Sequence, residues 1–237
     1  MEIIFVRHGE SFQNISNLAE SDDDDKLTDN GMRQAEITGK YLNKIYGKFD
    51  IIYSSPKNRC ISTANIIKKE IGYKEEVEKD IFLVEASGLH YKFEGRSFDE
   101  IEQIVTQNKK NVKLRKQIEQ EENIFKKVKI TKQLNDIYVK IVEAKPDLYD
   151  LEKNCKKMLN KFKKIKHKRI LVVTHNGFIR AMMKVICNID VQNDYVKILF
   201  NQENGNKKYV DNCAIMCVLN NKSKFELVLP PTTIHLQ

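Results

Sequence analysis

The chain has 237 residues, 41% of them hydrophobic and 8% aromatic, which suits one domain with a substantial core. Its formal net charge of +8 is local: 21 basic and 11 acidic residues lie between Arg96 and Arg169, leaving 20 and 22 elsewhere. No apolar run approaches the roughly 18–20 residues that cross a bilayer, and the five cysteines (Cys60, Cys155, Cys187, Cys213 and Cys217) form no CxxC pair, which argues against a disulfide framework or a structural zinc site.

In chain order, Ile3-Ile4-Phe5-Val6 predicts a first strand, with no basic start or longer apolar stretch of the kind a signal peptide needs. A cytoplasmic protein with no membrane partner is the expectation. The polar stretch from Gln13 to Lys26, which contains the tract Asp22-Asp23-Asp24-Asp25, predicts a surface loop. A helix follows Leu27-Thr28-Asp29-Asn30-Gly31, capped by Thr28 or Asp29, with Ala35, Leu42 and Ile45 on its inner face. Asp50-Ile51-Ile52-Tyr53 reads as a second strand. The helix from about Lys57 carries Cys60, Ala64, Ile67 and Ile71 at spacings of four, three and four.

Ser97-Phe98-Asp99-Glu100 has a capping-box pattern. From there to Lys168 the pattern is helical without a clear strand, which predicts a helical insertion at about 98–168. Within it, Cys155, Met158, Leu159, Phe162 and Ile165 line one helix face. The basic charge of this segment suits an anion, but it has few aromatics for stacking bases, so no nucleic-acid partner is expected. Ile170-Leu171-Val172-Val173 predicts a third strand, and the helix after His175-Asn176-Gly177 carries Phe178, Met182, Val185 and Ile186. Ala214 to Leu219 and Phe225 to Leu229 complete the strands. This alternation predicts an α/β fold: a mostly parallel central sheet with helices on both faces, in a single domain plus the insertion.

Three motifs each follow a predicted strand: Arg7-His8-Gly9-Glu10, Ser54-Ser55-Pro56-Lys57-Asn58-Arg59 and Thr174-His175-Asn176-Gly177. Ligands of open α/β sheets bind outside the carboxyl ends of the strands. Arg7, His8, Arg59 and His175 therefore converge. Two forked guanidiniums and two imidazoles match phosphate oxygens, and the helix after Asn176 adds backbone N–H groups. A leaving oxygen needs a proton, and Glu85, among apolar and small residues, is the candidate acid. No metal-ligand cluster such as HExxH or paired Cys is present, so neither a metal nor another cofactor is expected.

Arg7-His8-Gly9-Glu10-Ser11 with Asn14 resembles the signature of the histidine phosphatase superfamily, also called phosphoglycerate mutase-like. Leu27-Thr28 to Gly31 with Gln34-Ala35, Ser54-Ser55-Pro56 with Arg59 and Thr63-Ala64, Leu83-Glu85-Gly88 with Glu94-Gly95, Val172 to His175, and Asn212-Cys213 are similar to its further segments. The resemblance implies that His8 is the nucleophile and becomes phosphorylated. It implies that Arg7, Arg59 and His175 hold the phosphoryl oxygens, and that Glu85 is the acid and then the base. Asn14 and the backbone N–H of Asn176 assist with phosphate. The substrate implied is a small-molecule phosphate ester, and the resemblance is compatible with a homodimer. The two alternatives are a cofactor-dependent phosphoglycerate mutase and a non-enzymatic module of the same fold. Mutases usually carry a tryptophan-containing "GW-x-D" segment, and this chain has no tryptophan. The intact His and Arg set speaks against the module.

Overall fold

The computed structural model describes residues 1–16, 25–85, 96, 100, 103, 104, 107, 109–123, 126, 130, 133, 151–187, 210–221 and 224–237. Six strands among them build one sheet: β1 (Glu2–Arg7), β2 (Ile51–Ser54), β3 (Glu78–Lys79), β4 (Arg169–Thr174), β5 (Ile215–Asn221) and β6 (Lys224–Thr232). Their order is β3-β2-β4-β1-β5-β6. The β2–β3, β2–β4 and β1–β4 pairs are parallel, and β5 and β6 add an antiparallel edge. The mostly parallel α/β sheet expected from the sequence is thus present. β3 was not foreseen, because its two residues are exposed and carry no apolar signal. β6 runs past Leu229 through Pro230 and Pro231, which an edge strand tolerates because its outer N–H groups need no partner.

Among the described residues, six helices accompany the sheet: α1 (Phe12–Ser16), α2 (Asp29–Tyr46), α3 (Asn58–Glu70), α4 (Lys109–Gln120), α5 (Leu151–Lys164) and α6 (Asn176–Cys187). Alternation along the strands sends successive side chains to opposite faces. Ile3, Phe5, Ile170 and Val172 meet Met158 and Phe162 of α5 and Phe178 and Met182 of α6. Ile4, Val6, Ile52, Leu171 and Val173 meet Leu42 of α2 and Cys60, Ala64 and Ile67 of α3. Each fully buried Val, Leu, Ile, Phe or Met among these contributes about 1.5–3 kcal/mol of transfer free energy. β1 and β4 are buried on both faces, which is why they read as continuous apolar runs.

Three local expectations change. Ile45 is 55% exposed, because the inner stripe of α2 passes from Leu42 to Tyr46, whose ring packs on Phe49. α5 lies within the expected insertion, yet Cys155, Met158 and Phe162 are fully buried against the sheet, so this helix belongs to the core. Asp25, assigned to a surface loop, is buried, for a reason that lies in the site below. The cap at Ser97-Phe98-Asp99, Gly88 and Glu94-Gly95 fall outside the described residues. Among the described residues, no helix is long and apolar enough to cross a membrane.

Candidate active site

Strand register levels the motifs. Arg7 pairs with Thr174 and Ser54 with Val173, so β1, β4 and β2 end side by side. Two main-chain bonds continue the ladder beyond the strands, His8 N–H to Thr174 O at 2.9 Å and Ser55 N–H to Val173 O at 3.0 Å. His8 and His175 consequently stand with ring centroids 5.3 Å apart.

The Arg7-His8-Gly9-Glu10 loop is held by the other motifs. Thr63 Oγ1 accepts the Gly9 N–H at 3.0 Å, and Gln34 Oε1 accepts the Glu10 N–H at 2.9 Å. Thr28 caps α2 by accepting the Gly31 N–H at 3.0 Å and donates its hydroxyl to Glu10 Oε1 at 2.7 Å. A Cβ on Gly31 would collide with the Glu10 backbone, and one on Gly9 with the Gly31 carbonyl. Backbone lies directly on backbone here, so both positions require glycine.

Both imidazoles are buried and their protonation follows from their partners. His8 Nδ1 lies 2.8 Å from the Gly9 carbonyl. A carbonyl only accepts, so Nδ1 carries the hydrogen and Nε2 keeps its lone pair. Burial, reinforced by Arg59 and Arg7, pushes the His8 pKa well below the ordinary histidine value, so the ring is neutral. His175 is driven down likewise by burial and then by Arg59. Arg59 Nη2 donates to His175 Nδ1 at 3.3 Å, which places the ring hydrogen on Nε2, facing Ser55 Oγ at 2.9 Å. Cys60, in the fully buried stripe of α3, also touches this ring, with Sγ 3.4 Å from Nε2.

The guanidiniums differ. Burial lowers the Arg7 pKa while nearby Glu85 opposes the shift. Arg7 Nη1 donates to the Val210 carbonyl at 2.5 Å, and among the described residues its buried Nε has no hydrogen-bond partner. An orphaned cationic N–H is costly unless an anion meets it. Arg59 is only 4% exposed, and its Nη1 donates to Asp25 Oδ2 at 3.1 Å and Gln13 Oε1 at 3.3 Å. Gln13 and Asp25 are thus parts of the site that a polar local sequence concealed.

Glu85 follows a 3-10 turn (Ile81–Leu83). Its Oε1 accepts the Gly177 N–H at the start of α6 at 2.6 Å, and its Oε2 is 3.9 Å from His175 Nδ1. With His175 neutral, this second contact is not an ion pair. The apolar setting expected for Glu85 is incomplete: Leu83 and Val84 are buried, but the carboxyl-bearing side chain is 31% exposed. Asn14 lies at the rim, its Oδ1 accepting from Ser11 N at 3.2 Å and Asn212 Nδ2 at 3.0 Å. Asn212 Nδ2 also reaches the His8 carbonyl at 3.1 Å. The next residue, Cys213, adopts a left-handed φ of 56° and aims its N–H at the Arg7 and His8 carbonyls. The Asn176 side chain is turned to the Val210 N–H at 3.0 Å. Arg7, His8, Arg59, Glu85 and His175 therefore meet at one place, with Asn14 and Asn176 at its edges. Among the described residues, no group of three or more His, Cys, Asp or Glu side chains is arranged to hold a metal ion.

Comparisons with known proteins extend this geometry. Residues 3–228 match the family model "Histidine phosphatase superfamily (branch 1)". The chain is 39% identical over 104 residues to the serine/threonine-protein phosphatase Pgam5, mitochondrial, of Drosophila yakuba, covering 40% of this chain and 35% of that protein. It is 40% identical over 70 residues to a 2,3-bisphosphoglycerate-dependent phosphoglycerate mutase of Neisseria meningitidis, covering 30% and 31%. The chain thus spans about a third of the length of these curated relatives. Among solved structures, a phosphoserine phosphatase of Entamoeba histolytica in complex with phosphoserine superposes with a TM-score of 0.63 at 21% identity, covering 100% of this chain and 99% of that one. A phosphoglycerate mutase of Bacillus anthracis superposes with a TM-score of 0.67 at 20% identity, covering 97% and 92%. At these identities the two structures share the fold.

Proposed function

We propose, from the premise that this chain belongs to the histidine phosphatase superfamily, that it hydrolyses a phosphomonoester of a small molecule through a phosphohistidine on His8. The observation that carries the reading is the state of His8: a buried, neutral ring with its hydrogen on Nδ1 and the Nε2 lone pair available beside two guanidiniums. In the first step Nε2 attacks phosphorus, the ester P–O bond breaks, and Glu85 gives its proton to the leaving alkoxide. In the second, Glu85 takes a proton from water, whose oxygen displaces the imidazole from phosphorus and releases phosphate. Arg7, Arg59 and His175 face the phosphoryl oxygens, where a loose transition state spreads its charge.

Hydrolysis rather than mutase chemistry is supported by the absence of tryptophan. All five cysteines are free thiols, as suits a reducing cytoplasmic setting. Rapid quench with a phosphorus-labelled ester is the test. An acid-labile, base-stable phosphoenzyme should form and should vanish in His8→Ala. Its persistence there would remove His8 from the role. Turnover of p-nitrophenyl phosphate separates the enzyme from a non-catalytic module.

A further inference from the structure

We propose that Asp25 is a positioning residue for Arg59, and that its buried charge keeps phosphate from being held too tightly at the site. The inference rests on the phosphatase reading above. Asp25 comes from an acidic tract and would be expected in water, yet its side chain is 0% exposed, against 5% for the Arg59 side chain it meets. Its two oxygens are divided. Oδ1 accepts the backbone N–H of Gln13 at 3.1 Å, and Oδ2 accepts Arg59 Nη1 at 3.1 Å. Gln13 Oε1 reaches the same Nη1 at 3.3 Å. A guanidinium is a rigid planar fork. With Nη1 pinned by two acceptors, the plane is fixed and Nη2 is aimed at His175 Nδ1, 3.3 Å away, on the side where the two imidazoles face each other.

The charge matters as much as the geometry. Both imidazoles are neutral, so among the described residues the cations acting on the two rings are buried Arg59, half-buried Arg7 and Lys57, and Asp25 offsets Arg59. Arg7 already has Glu85 and Asp211 nearby, whereas an Arg59 without Asp25 would bind the phosphate product as well as the transition state, and uniform binding of that kind does not raise kcat. A fixed carboxylate behind Arg59 repels a dianion while leaving the fork correctly turned.

The experiment compares the wild-type chain with Asp25→Asn and Gln13→Glu. It measures kcat on p-nitrophenyl phosphate, the Kd of inorganic phosphate by calorimetry, and Tm. Asn retains the shape and the acceptor for Gln13 N–H but sets an N–H against Arg59 Nη1. Its kcat should fall about tenfold, as for loss of a charge-assisted hydrogen bond, while phosphate binds about fivefold tighter, as for removal of a repelling charge at intermediate dielectric. Gln13→Glu adds a carboxylate at the same Nη1 and should weaken phosphate about fivefold by the converse effect. Opposite movement of kcat and phosphate affinity is the signature that a merely structural role does not produce. A lower kcat with weaker phosphate binding and a lower Tm in Asp25→Asn overturns the proposal. If that variant does not fold, unchanged or tighter phosphate binding in Gln13→Glu overturns it. Wild-type protein that neither binds phosphate nor turns over the ester defeats the phosphatase reading and this inference with it. Active wild type with an unaltered Asn variant defeats the Asp25 role alone.

Discussion

Replacing Gly177 with alanine separates proton delivery from phosphate binding. The Gly177 N–H donates to Glu85 Oε1 at 2.6 Å, and a Cβ on Gly177 would stand 2.7 Å from that same oxygen and 3.3 Å from Leu151 Cδ1. The mobile end of Glu85 yields first, because its side chain is 31% exposed and has solvent to retreat into. The carboxyl loses an N–H partner worth about 1.5–3 kcal/mol for a charged acceptor. At 1.36 kcal/mol per decade, kcat/KM for an alkyl phosphate should fall about 10–100-fold. p-Nitrophenyl phosphate should lose only a few-fold, because nitrophenolate hardly needs a proton. The fold should change little, since Gly177 lies in the first turn of α6 and, besides Glu85, the added Cβ crowds only the end of the Leu151 side chain. The assay is kcat/KM on both esters beside a thermal melt. Equal slowing of the two esters would place the damage at the phosphate-holding groups. An unchanged alkyl-phosphate rate would show that Glu85 works without Gly177.

What the sequence conveyed depended on how local each signal was. β1 and β4 are buried on both faces, so their apolar runs announced them, and the motifs after them announced Arg7, His8 and His175. Thr28 was legible as a cap because capping is a contact within a few residues. Its second bond, to Glu10, joins positions 18 apart and shows only in the fold. Asp25 illustrates the limit. A tract of four acids has every local property of a solvated loop, and the ion pair with Arg59, 34 residues away, together with the bond from Gln13 N–H, 12 residues away, explains its burial. Glu85 was legible from its apolar and small neighbours and again from the family pattern, but its contact with Gly177 spans 92 positions, and no periodicity encodes that. Asn212 was visible as half of a motif, without a task. Its task is to join the His8 carbonyl to Asn14 across about 200 residues. Long-range polar contacts have no period, whereas burial does, and so the sheet was readable while the setting of its site was not.

Two more outcomes follow from the same contacts. Burial first, then Arg59, hold both His8 and His175 well below the ordinary histidine value, while in the unfolded chain they titrate near 6.5. The unfolded state therefore binds more protons below that pH, so stability should fall as pH drops through 6.5. Thermal melts from pH 7.5 to 5 check this, and a Tm independent of pH would refute it. The last prediction concerns Asn212. Its Nδ2 donates to Asn14 Oδ1, which also accepts from Ser11 N–H, so the Asn14 amide nitrogen is turned away from both donors and is free to serve an anion at the rim. Asn212→Ala removes a hydrogen bond worth about 0.5–1.5 kcal/mol and should lower kcat/KM about 2–10-fold. If Asn212 acts by holding that amide in place, its loss should cost little once Asn14 is already alanine. The double-mutant cycle should then show a coupling of about 0.5 kcal/mol or more. Strict additivity would mean that Asn212 acts through the His8 carbonyl alone, and that Asn14 finds its orientation without it.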